Sequence, residues 1–75
     1  MRKRKIDDFV LLQVLVGPDG QVRDVRVLRS IPNCPECTES AVESARRSVY
    51  EPYVMQGRAV EVWSLPFPLH FSYRR

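Results

Sequence analysis

Several features that announce a function are scarce in this sequence. Two cysteines and one histidine stand among 75 residues. A structural zinc site takes four ligands, so Cys34 and Cys37 fall short of one unless His70, a carboxylate or a second chain joins them. No segment is low in complexity and none repeats, which excludes a solenoid or a disordered linker. The main apolar run, FVLLQVLV at Phe9 to Val16, is closed by GPDG and is far from the ~20 residues of a membrane helix. The basic opening followed by that run has the outline of a signal peptide. Asp7 and Asp8 interrupt it, however, and no small-residue cleavage site follows before Gly17, so the chain as given reads as soluble.

Strong charge of one sign is also lacking. Twelve basic against nine acidic residues leave a net charge of +3, an excess too small to name a partner. RKRK at Arg2 to Lys5 and the pair Arg74 and Arg75 sit at the two ends, so residues 1–8 and 74–75 read as tails around a domain at 9–73. Arg23, Arg26 and Arg29 share one predicted strand, but Arg26 differs in parity from the other two. No aromatic pair of the RNA-binding kind and no recognition helix accompanies them, so the arginines read as a solvated face and no nucleic acid is expected as partner; a basic nucleic-acid binder stands as a rival reading, which predicts salt-sensitive binding to DNA or RNA. A chain this short buries only about 60% of the surface its unfolded form exposes, which allows one small core.

What is present reads as an α+β domain. In FVLLQVLV the even positions Val10, Leu12, Val14 and Val16 are all apolar, the period of a strand with one buried face. GPDG then supplies a turn, with Pro18 presetting φ and Gly20 free to take positive φ. The return strand VRDVRVLR, Val22 to Arg29, breaks its alternation between Val22 and Val25, and a bulge near Arg23 and Asp24 would restore one apolar face. SIPNCPEC, Ser30 to Cys37, reads as a loop. A helix capped by Thr38 follows from the spacing of Ala41, Val42, Ala45 and Val49, and Pro52 stops it near Tyr50. Ala59 to Tyr73 reads as one long final strand. The order ββαβ predicts a three-stranded, antiparallel-type sheet in the order 2-1-3 with the helix packed on one face, which leaves the last strand at an edge.

That last strand carries Pro66 and Pro68. Alternate residues of a strand turn their N–H and C=O groups to the same side, so two prolines one residue apart strip donors from one border only. Prolines at a border hinder edge-to-edge aggregation. A border still open at Arg58, Ala59, Val60, Glu61, Val62, Trp63 and Ser64, and again at His70, could accept one short extended peptide while resisting further sheet growth.

The segments VLVGPDGQVRDVRVLRS, ESAVESARRSVYEPY and GRAVEVWSLPF together resemble the carboxy-terminal domain of TonB energy transducers. The features that carry the resemblance are Pro18, Asp19 and Gly20 at the hairpin turn, Asp24, Val25 and Val27 after it, and Ala41, Arg46, Arg47, Tyr50 and Pro52 on and beyond the helix. Pro66 and Phe67 in the last strand complete them. The resemblance implies a non-enzymatic periplasmic module with no cofactor, part of an inner-membrane-anchored protein whose own membrane contact lies elsewhere. It implies binding of the TonB box, a short extended peptide of outer-membrane receptors, as an added strand on the last strand's border. Motor proteins of the inner membrane then act through the transducer to drive uptake of siderophores, vitamins or carbohydrates. Where the family has a helix tryptophan this chain has Ser48, with Trp63 as the candidate to fill that volume. The family's YP-containing segment, membrane anchor and proline-rich spacer have no counterpart here, as expected of an excised domain or a reduced relative.

Two other readings compete. Cys34 and Cys37 form C-P-E-C ahead of a helix, a placement that suits either a plain disulfide or a dithiol oxidoreductase, since helix N–H groups lower a thiol pKa there. Separately, Phe9, Leu11 and Leu15 would lie on the face away from the helix, joined by Val60 and Val62, and an apolar face of that kind predicts self-association as a homodimer, through this face or through the open edge.

Overall fold

The computed structural model describes residues 5–74. Most of the RKRK run therefore lies outside the described residues, as does Arg75. The elements are β1 (Lys5–Val16), β2 (Val22–Arg29), α1 (Pro35–Arg47), β3 (Tyr53–Met55), β4 (Arg58–Val60), β5 (Val62–Trp63) and β6 (Phe67–Arg74). β1 is the centre of the main sheet. It pairs antiparallel with β2 on one side and with β5 and then β6 on the other. The predicted order 2-1-3 therefore holds, with the third strand split in two.

The even face of β1 makes the core, as its periodicity predicts. Val10, Leu12 and Val14 are fully buried, and Ile6 and Val16 nearly so. Against them α1 lays Cys37, Ala41 and Ala45, small residues that let helix and sheet come close, and Ile31 and Cys34 close the end. Phe67, Leu69 and Phe71 of β6 pack against the same cluster. β1 starts at Lys5, which pairs with Arg74, so residues 5–8 and 74 belong to strands where the sequence suggested tails.

The GPDG turn forms through hydrogen bonds from the Gly17 N–H to the Gln21 C=O (2.8 Å) and from the Gly20 N–H to the Gly17 C=O (2.9 Å). Gly20 has φ of 85°, and a Cβ there would stand 2.3 Å from the Tyr50 carbonyl oxygen, so only glycine fits. The predicted bulge is present: Val22 pairs with Val16 and Asp24 with Leu15, leaving Arg23 over. A second slip skips Leu28, because Val27 pairs with Leu12 and Arg29 with Leu11.

The helix differs from expectation at both ends. It starts at Pro35, after Cys34 as the cap, and Thr38 is already inside it. Proline suits the first helical position because its fixed φ matches and its missing N–H would have had no partner. The helix stops at Arg47, short of Tyr50, because the GPDG turn captures the next residues: Val49 bridges Gln21, and the Tyr50 N–H donates to the Gly20 C=O at 2.9 Å.

The largest departure concerns the final strand. Arg58 to Val60 do not extend it; they fold back on Tyr53 to Met55 as a separate hairpin. Gln56 and Gly57 both have positive φ, 51° and 77°, the two-residue turn that matches strand twist.

Candidate functional site

The outer border of the third strand is built from two pieces that face different ways. The Phe9 C=O accepts from Arg29 on the β2 side, and both the N–H and C=O of Val14 turn to the other side, toward Ser64. In β1, then, odd residues direct their backbone groups to β2 and even residues to β5 and β6. By antiparallel pairing, Phe67 and Leu69 face β1 while Pro68, His70 and Ser72 face outward. In β5, Val62 faces β1 and Trp63 faces outward.

Ser64 joins the two pieces. Its N–H donates to the Val14 C=O (2.7 Å), its hydroxyl accepts from the Val14 N–H (3.1 Å), and its carbonyl accepts from Gln13 Nε2 (2.9 Å). A side-chain hydroxyl here takes the place of a ladder group, and strand parity changes across Ser64 to Pro66. The predicted peptide border must be corrected accordingly. Arg58, Ala59 and Val60 are engaged by Tyr53 to Met55, Glu61 lies between β4 and β5, and Val62 and Ser64 point inward. Of the predicted residues, Trp63 and His70 turn their backbone groups to the outer border, and Ser72, which was not among them, does so too. The signal the sequence reading overlooked was Gln56-Gly57, a hairpin turn at the place where a single strand was read to begin.

The face of the sheet away from α1 also departs from prediction. Phe9, Leu11 and Leu15 lie on it, but Val62 pairs with Val16 on the helix side and Val60 belongs to the hairpin. Trp63, opposite Leu15, occupies this face and so does not fill the helix-side volume left by Ser48. The slip at Leu28 brings Arg26 and Arg29 onto the same face, across from Gln13 and Leu11, although their sequence parity differs. Both guanidinium groups stack on rings: Arg26 lies 4.3 Å from the Trp63 ring centre and Arg29 4.2 Å from that of Phe9. The apolar face is thereby shielded by two cationic planes. Arg29 also donates to Asp8 (2.9 Å), which holds the Asp8 carboxyl below its usual pKa, with the Phe9 N–H as a second donor.

Cys34 and Cys37 form a disulfide at the start of α1. With 0% and 2% exposure, neither sulfur is open to an attacking thiolate, so the bridge sits as a staple rather than as an exchanging pair. Among the described residues, no three of His, Cys, Asp and Glu stand where they could share a metal ion. None of the described helices is long and apolar enough to cross a membrane.

A family model described as Gram-negative bacterial TonB protein C-terminal matches residues 1–73. The chain belongs to the TonB carboxy-terminal family. This family is a non-enzymatic module of energy transducers that serve transport, and its domains are typically periplasmic. Membership implies interaction with TonB-dependent outer-membrane receptors. No curated protein and no solved structure matches the chain.

Proposed function

We propose that this TonB domain binds a short extended peptide of an outer-membrane receptor, the TonB box, as an added strand on the outer border of β6. The observation that supports the reading is the outward turn of the His70 and Ser72 backbone on a strand whose other side is fully paired with β1. Pro68 removes a donor from that border, so a guest strand can register at His70 and Ser72 but a sheet cannot grow indefinitely. Backbone pairing supplies affinity, and the alternate side chains of the guest meet the two faces of the sheet. Pulling on the transducer then loads the receptor through the added strand.

Amide shifts in an NMR titration with extended peptides test this. Changes centred on His70 and Ser72 are expected; changes confined to the Ser30 to Cys37 loop would overturn it. A second copy of the chain is the competing guest for the same border. A strictly monomeric mass by light scattering across a wide concentration range would leave the border to the receptor peptide.

A further inference from the structure

Beside β5 the hairpin β3–β4 stands away from the main sheet and leaves a groove of about 730 Å³. Its lining includes Tyr50, Pro52, Tyr53, Met55, Trp63 and Leu65. Several of these are in water in the free protein: Tyr53 and Met55 are each 53% exposed and Leu65 is 86% exposed. Among the described residues, Glu51 is the only charged one on the lining. A cluster of exposed apolar side chains around a concavity, next to backbone groups without a strand partner among the described residues, has the composition of an anchor pocket.

The border geometry says what would enter it. Trp63 turns its backbone outward, as His70 does, and the register of β1 separates the two by Phe9 to Leu15, about 20 Å in a strand. A guest of about seven extended residues therefore spans both. Between them the border offers no donor at Pro66 or Pro68, so backbone pairing is weakest midway and the guest's far end needs another hold. From this we infer that the groove takes a large aliphatic residue at the end of the guest strand. The inference rests on the peptide-binding reading above. An apolar lining favours leucine, isoleucine or valine there, and the Glu51 carboxylate disfavours an acidic residue. The pocket thus selects among peptides that the β6 backbone alone would accept alike.

The Tyr53 and Met55 amides report on the groove, while the His70 and Ser72 amides report on the border. The probes are capped heptapeptides of alternating threonine and valine whose two end residues are both leucine, both alanine or both aspartate. The leucine peptide should bind about tenfold tighter than the alanine peptide, and the aspartate peptide more weakly still. Met55→Asp should abolish the leucine advantage without changing affinity for the alanine peptide. Leu65→Ala, also on the lining but outside the hairpin and outside any strand, should reduce it without relying on the hairpin. Equal affinities, or an advantage that survives both substitutions while His70 and Ser72 still shift, would overturn the pocket and leave the border reading intact. If no peptide moves His70 or Ser72, the border reading fails and the pocket with it.

Discussion

The two faces of β1 come from the same twelve residues and end in opposite environments. On the helix side, Val10, Leu12 and Val14 are sealed by small residues of α1 and by Phe67, Leu69 and Phe71. On the other side Phe9, Leu11 and Leu15 are almost as apolar, yet none of the described elements covers them; Arg26 and Arg29 lie over the rings of Trp63 and Phe9 instead. Burial makes the first face a source of stability. Shielding by stacked cations makes the second compatible with water without a second layer, which a chain of this length could not supply.

Leucine truncation gives the largest expected contrast. Leu12→Ala should cost about 2–5 kcal/mol in chemical denaturation, because a fully buried side chain leaves a cavity. Leu11→Ala, one residue away on the open face, should cost about 1 kcal/mol. Equal losses would mean that the second face is not open. Ser64→Ala comes next: the Val14 N–H would lose its acceptor in a buried strand, for roughly 1–3 kcal/mol. Hydrogen exchange at Val14 should accelerate with it, and an unchanged rate would show that the hydroxyl is dispensable.

Arg26→Ala should lower stability by only about 0.5–1 kcal/mol. Its larger effect should be on solubility, measured as the concentration at which scattering begins, because the Trp63 ring loses its cover. The smallest effect belongs to Asp8. Hydrogen bonding to Arg29 lowers its folded-state pKa, so its contribution is present above the unfolded carboxylate pKa of about 3.9 and is lost as pH falls through the folded value. Wild type and Asp8→Asn should therefore differ in melting temperature near neutrality and converge in strong acid. A difference that stays constant down to low pH would remove the ion pair as its cause.

The odd-numbered apolar run of the final segment shows where sequence reading stops. Phe67, Leu69 and Phe71 meet the core as their period predicts, whereas Leu65 has the same parity and stands in water, and Trp63 lies on the opposite face. Period alone cannot report a parity change, because the change is made by Ser64 bonding Val14 from fifty residues away. Arg26 and Arg29 repeat the lesson in β2, where skipping Leu28 unites residues of unlike parity. The helix end is a third case, since Val49 fits the helical spacing and is drawn instead to Gln21.

By itself the sequence determined the first two strands, the presence of one helix, the GPDG hairpin with its bulge, the buried face of β1 and the sheet order. Each follows from local alternation, from turn chemistry, or from the short list of ways in which ββαβ can close. Tertiary structure decided which backbone groups of the last segment remain outward, which ring each arginine covers, and that a small hairpin walls a groove. Those outcomes depend on pairings between residues far apart in the chain, and a single slip in register reverses every side chain beyond it.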